Sequence, residues 1–311
     1  MKRSSQPTAV LQAIFVTVLW ASSWVLIKFG LRASLPALTF AGLRYVLAFL
    51  CLMPFILLNS QNRAALKSLS RKDWGRLALL GIIFYTFAQG SQFLSLAYLP
   101  AAMVSLLLNL TPLVVGLFGI IFLREYPSLR QWVGIALTVI GVAVYFLPLG
   151  VEDLPVIGLL VALAGVVSNA ASSLLGRQVN RLANSSPVII TFISMGIGSS
   201  LLLVIGTVTQ GFGKLDLQGW LLIAWLAVVN TAFAFTLWNH TLRTLSAVES
   251  SVINSLMMPQ IAILAYLFLG ETLHVREILG LVLVGIGVMV VQLRKRSSIP
   301  PVIPPAESDA S

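Results

Sequence analysis

Polar and charged positions divide this chain into ten apolar runs, at roughly 9–29, 36–58, 76–98, 101–122, 130–149, 155–176, 187–210, 219–242, 247–269 and 275–293. Each is close to the roughly 20 residues that an α-helix needs to cross a hydrocarbon layer about 30 Å thick. A membrane β-strand would be about 10 residues long with strictly alternating polarity, and these runs do not alternate. The pattern therefore predicts an all-α integral membrane protein of ten transmembrane helices.

Composition agrees. Hydrophobic residues make up 58% of the chain and charged residues 10%, with a mean hydropathy of +0.96. That leaves too little charge to cover a soluble surface. The net charge of +10 could suggest a nucleic-acid partner. However, the cations fall in short segments between apolar runs, where the positive-inside rule accounts for them. With a cytoplasmic N-terminus, 15 of the 20 Lys and Arg lie inside and four outside (Lys28, Arg32, Lys214, Arg276), while Arg44 lies within a span. This bias predicts an even number of spans with both termini cytoplasmic. Met1-Lys2-Arg3 begins like a signal peptide, but the apolar run after it is too long for one and lacks a cleavage site, so it is expected to remain as span 1. A lone cysteine, Cys51, excludes an internal disulfide, and no metal site or cofactor is expected. The proline-rich residues 297–311 predict a disordered cytoplasmic tail.

The chain also repeats itself. At an offset of 146, Glu125 matches Glu271, Arg130 matches Arg276, and Gly134 and Gly141 match Gly280 and Gly287. Phe87/Phe233, Ala88/Ala234, Leu99/Leu245, Ala101/Ala247 and Ser105/Ser251 follow the same offset, and Pro112 meets Pro259 after a one-residue slip. The unit holds five spans, residues 9–149 and then 155–293. An odd span count inserts the second copy upside down. Inverted repeats are a signature of secondary transporters, whose substrate site lies near the bilayer midplane between the halves.

The segment from Trp20 to Lys28 (WASSWVLIK), the mid-span prolines and the Leu-Arg-Glu and Leu-Gly-Glu motifs ending at Glu125 and Glu271 resemble the EamA-like branch of the drug/metabolite transporter superfamily. The resemblance runs from about Leu11 to Leu293 as two units. It implies a ten-helix inner-membrane carrier, usually an exporter of amino acids or related metabolites, with a cavity lined by spans 1, 3, 4, 6, 8 and 9.

Polar side chains inside hydrocarbon must face the bundle or a wet cavity, and so become candidate site residues. Tyr85, Gln89 and Gln92 of span 3 share one α-helical face, as do Ser105, Asn109 and Pro112 of span 4. Asn169, Ser172 and Ser173 of span 6, Asn230 of span 8, and Ser251, Asn254 and Ser255 of span 9 extend the set. Span 1 adds Trp20, Ser23 and Trp24, with Trp20 too deep for an interfacial belt. The substrate-binding candidates are Trp20, Ser23, Gln89, Gln92, Asn109, Asn169, Asn230 and Asn254. Their amides, hydroxyl and ring suit a neutral or zwitterionic small molecule. Serines in such helices also serve as packing contacts, worth roughly 0.6 kcal/mol each. Arg44 costs about 2.5–3.5 kcal/mol to insert at a helix centre. It coordinates a substrate carboxylate, snorkels outward, or supports the fold through carbonyls. Pro112 and Pro259 are expected to kink their helices, each freeing a carbonyl for substrate or a neighbour.

Glu125 and Glu271 sit where one span ends and the next begins. There each is expected to cap the following helix and to pair with Arg130 or Arg276. The paired glycines, spaced by seven, are expected to allow close helix packing. For proton coupling the candidates are Glu249 and His240, near the cytoplasmic ends of spans 9 and 8; uncoupled efflux is the alternative. A membrane enzyme is a remote alternative, since only two histidines are present and no carboxylates cluster. Within the same superfamily a nucleotide-sugar or other metabolite carrier is the runner-up; its diphosphate would call for several cations in the cavity, and only Lys28 and Arg44 lie deep. Expected partners are a small-molecule substrate and the bilayer, with no nucleic acid. Because both halves are fused, a monomer is expected to suffice.

Overall fold

A computed structural model describes residues 6–118, 128–146, 155–182, 187–241, 244–245, 253–254 and 256–292. Glu125, Glu249, Ser251, Ser255 and the tail lie outside the described residues.

Among the described residues the regular structure is entirely helical. The first half contains α1 (Gln6–Arg32), α2 (Ala37–Leu57), the short α3 (Ser60–Lys67) and α4 (Arg71–Gly81). From α4 a π-helical stretch, Ile82–Gln89, continues into α5 (Gly90–Tyr98), and α6 (Ala101–Leu108), α7 (Thr111–Phe118) and α8 (Leu129–Phe146) follow. The second half contains α9 (Val156–Leu182), α10 (Pro187–Gln210) and α11 (Leu217–Ala227). A second π-helical stretch, Val228–Phe233, leads into α12 (Ala234–Thr241), with α13 (Met257–Leu269) and α14 (Val275–Gln292) last. Among the described residues, six helical segments are long and apolar enough to cross a membrane, and Leu129–Tyr145, Leu217–Phe233 and Met257–Leu269 are shorter apolar helices.

The helix boundaries follow local chemistry. Ser70 and Asp73 form a capping box that starts α4 five residues before the predicted span. The Asn59 side chain caps α3 in what the hydropathy pattern marks only as a loop. Asp216 starts α11 by accepting from Gly219 N at 2.7 Å. Gly270, at φ +68°, adopts the left-handed conformation that ends α13, and its N–H and that of Glu271 both return to the Ala265 carbonyl.

α2 lies along α10, and α1 lies against α12 and α13. The stretch from α4 to α5 packs on α9 and α10, while α6 contacts both α9 and α13. The central core holds Trp24, Phe40, Tyr45 and Phe93, with the Phe40 and Phe93 rings edge to face at 5.3 Å.

The most extensive pairing joins α8 to α14, and the repeated glycines explain it. A Cβ on Gly141 would sit 2.7 Å from the Gly280 carbonyl oxygen, and one on Gly280 would sit 2.7 Å from that of Gly141. One on Gly287 would sit 2.6 Å from the Gly134 oxygen. Only glycine lets the two backbones approach this closely.

Candidate functional site

A cavity of about 440 Å³ opens within the helices, and all eight substrate-binding candidates line it, together with Arg44. Span 1 supplies Trp20, Ser23 and Trp24; Asn169 and Ser173 come from α9 and Asn254 from the start of span 9. The lining also includes Tyr45 on α2 and Val288 on α14, two helices outside the six segments expected to line it.

Tyr85 is not part of this lining. The expected face of Tyr85 and Gln89 assumed a period of 3.6 residues. In the π-helical stretch Ile82–Gln89, with its i→i+5 hydrogen bonds, residues five apart come into line instead. Phe84 and Gln89 therefore face the cavity, whereas Tyr85 is buried with its ring 5.4 Å from that of Tyr45. The second π-helical stretch repeats this spacing, with Asn230 and Phe235 lining the cavity.

Arg44 does not snorkel outward. It is 5% exposed and donates from Nε to Thr231 Oγ1 at 3.2 Å. Its guanidinium carbon lies 5.2 Å from the Tyr45 ring centre and 5.9 Å from that of Phe93. Thr231 is itself fixed by donating to the Leu226 carbonyl at 2.8 Å.

The amides are held in definite orientations. Tyr45 donates its hydroxyl to the Gln89 amide oxygen at 2.6 Å, leaving the Gln89 N–H groups free to donate. Asn109 and Asn169 donate from Nδ2 to the Ser105 and Gly165 carbonyls, at 2.7 and 2.9 Å. Asn230 Nδ2 donates to the Leu19 carbonyl and to Ser22, and its Oδ1 is buried without a partner. Trp20 packs against Phe235 and Trp238, each at 5.2 Å between ring centres, with Nε1 buried and unbonded. The Ser23 hydroxyl is bound to the Trp20 carbonyl at 2.6 Å.

Span 4 breaks before Pro112, at Asn109 and Leu110. The carbonyl that proline leaves without its usual helical partner is that of Leu108, and it accepts from Thr111 Oγ1 at 2.6 Å. Pro259 stands in the first turn of α13, where a missing N–H costs no helical hydrogen bond.

Glu271 is a helix cap, but of a different helix from the one expected. Its carboxylate accepts from Ala101 N at 2.7 Å and Ala102 N at 3.2 Å, capping α6. The helix after it, α14, is served by Glu277, which accepts from His274 N at 2.8 Å. Two cations on α1 act at the same end of the molecule. Lys28 Nζ donates to the Leu99 carbonyl at 2.7 Å and Arg32 donates to that of Leu269 at 2.9 Å. Both groups satisfy carbonyls at helix C-termini, and both lie within α1 rather than in a loop. Glu271 accepts from the Ala101 and Ala102 N–H groups, and among the described residues it makes no ion pair with Arg276. His240 lies on α12 outside the cavity lining, with Nδ1 buried and unbonded.

The model of the EamA-like transporter family matches residues 7–147 and again 156–293. An "Uncharacterized transporter YvbV" of Bacillus subtilis is 26% identical, over 96% of this chain and 95% of that protein. A "Probable amino-acid metabolite efflux pump" of Salmonella typhimurium is 27% identical, over 89% of this chain and 92% of its own. An "Uncharacterized inner membrane transporter YedA" of Escherichia coli is 26% identical over 94% of each. A solved crystal structure with 17% identity superposes at a TM-score of 0.63, covering 92% of this chain and 98% of that one. At that identity the likeness is one of fold.

Proposed function

From the premise that the chain belongs to the EamA-like transporter family, we propose that it is an inner-membrane secondary transporter exporting amino acids or similar small metabolites. The observation that carries this reading is the central cavity, lined by amides and aromatic rings drawn from both halves of the chain. The printed name of the Salmonella relative points to the same substrate class.

The carrier consists of ten spans in two inverted repeats, residues 9–149 and 155–293, with both termini cytoplasmic. Two observations support this. The family model matches twice, and helix contacts come in exchanged pairs: α1 meets α12 as α9 meets α5, and α1 meets α13 as α9 meets α6 and α7. Exchanging the conformations of two such halves moves the opening of a midplane site from one side to the other. Arg44 is the only cation among the described residues of the lining, which argues against a nucleotide diphosphate. Fusion of both halves makes a monomer sufficient.

Reconstitution of the purified chain into liposomes tests this. Labelled amino acids and their derivatives are expected to cross, while nucleotide sugars are not. Transport of nucleotide sugars alone would sink the reading.

A further inference from the structure

The cavity's hydrogen-bonding groups are unevenly disposed, and that unevenness describes a ligand. Arg44 is a guanidinium, charged at any physiological pH, and it is more than nine-tenths buried. One of its donors is used, by Thr231; no other hydrogen bond to Arg44 occurs among the described residues, and the side chain lines the cavity. Tyr45, directly beside it in sequence, fixes Gln89 so that this amide also offers donors.

Three of the four asparagines in the lining are set the other way. Asn109, Asn169 and Asn230 each donate from Nδ2 to a backbone carbonyl, and among the described residues nothing donates to their Oδ1, which stays open to accept. No aspartate or glutamate occurs among the described residues of the lining. The four described carboxylates are engaged at helix N-termini: Asp73 and Asp216 in their own caps, Glu271 on α6 and Glu277 on α14.

We infer that the cavity recognises a monoanion carrying one carboxylate and an uncharged N–H, such as an N-acylated amino acid, with the carboxylate bound by Arg44 and Gln89 and the N–H received by an asparagine oxygen. This rests on the carrier reading above and narrows its substrate class. A buried guanidinium and a carboxylate form a charge-assisted, bidentate pair. The anion also neutralises a charge that the described lining leaves uncompensated. A zwitterion satisfies the same acceptors but brings an ammonium into a site that already holds a cation. A cationic amide or amine brings the charge without the carboxylate.

The test uses the full chain in proteoliposomes, measuring counterflow of a labelled pool of amino acids and their N-acetyl derivatives. The competitors are N-acetyl-L-methionine, L-methionine, N-acetyl-L-methioninamide and L-methioninamide, with the corresponding phenylalanine set, at mildly acidic pH where the free amides are cations. The N-acetyl acids are expected to compete best, the free amino acids less well, and both amides least. Arg44→Gln is expected to weaken competition by the acids by about tenfold to a hundredfold, the worth of a hydrogen bond to a charged group, and to change that by the amides little. Arg44→Lys should retain part of the preference, since charge remains without the planar fork.

If the pool is carried but free amino acids or amides compete as well as the N-acetyl acids, the inference is overturned and the carrier reading stands. If Arg44→Gln folds and keeps the full preference for the acids, the assignment to Arg44 is likewise overturned. If no member of the pool is carried, both readings fall together. Should Arg44→Gln not fold, the wild-type competition series decides on its own.

Discussion

Glu271 closes the first turn of α6 although 169 residues of chain separate it from Ala102. Its two oxygens satisfy two N–H groups that no intrahelical carbonyl can reach. Glu271→Ala is expected to cost about 1–2 kcal/mol, as for a strong N-cap, seen as a lowered melting temperature of the detergent-solubilised protein. Glu271→Asp, one methylene shorter, should recover little of that loss. The sequence marks this glutamate as a cap through its place at a helix junction and its duplication. It does not mark the partner, because spacing along a chain reports local caps only, and the ends of α6 and α13 meet through packing. Proton coupling is argued at the same scale. If Glu249 or His240 carries the proton, Glu249→Gln or His240→Ala abolishes pH-driven uptake in liposomes. Undiminished uptake in both variants would leave facilitated efflux as the mechanism.

At the scale of the element, the π-helical stretches decide which side chains the cavity receives. Both occupy equivalent places, since Ile82 and Val228 are 146 residues apart, the offset of the repeat. Deleting Ile83 should restore the α-helical phase and swing Gln89 away from Tyr45. The variant is expected to reach the membrane and remain folded by size-exclusion chromatography, yet to lose transport; full activity would show that this phase is immaterial. Hydropathy placed most helices within a few residues of their observed ends, because lipid demands one continuous apolar stretch from each. It could not place the wide turns. An added residue per turn leaves composition unchanged and shifts only the phase, and for that reason Tyr85 was expected at the cavity where Phe84 stands. Gln89, Asn109 and Asn169 were legible as lining residues because a large amide in hydrocarbon has few other places to go.

For the whole molecule, orientation and pairing of the halves are the properties to test. Cys51 is the only cysteine, so a Cys51→Ser background accepts single reporter cysteines. Labelling of intact cells with an impermeant maleimide is expected at Lys214→Cys and absent at Lys67→Cys; the reverse pattern would invert the proposed topology. The seam between α8 and α14 is expected to fail under Gly280→Leu, with a destabilisation of about 1–3 kcal/mol typical of overpacking, measured by thermal unfolding. Gly75, where an added Cβ meets nothing within 4 Å, is the control position, and its substitution by alanine should be tolerated.

That seam has a consequence for how the two copies age. A fused duplication is free to drift, and most of the apolar positions here have done so. At Gly141, Gly280 and Gly287 the obstacle to a new methyl group includes a backbone oxygen of the opposite copy, which no change of rotamer can move aside. A substitution in one copy thus cannot be rescued by altering a side chain in the other. The likeness of the two glycine stripes is enforced by steric contact in the living fold, whatever their common ancestry, and it should outlast the rest of the resemblance between the halves.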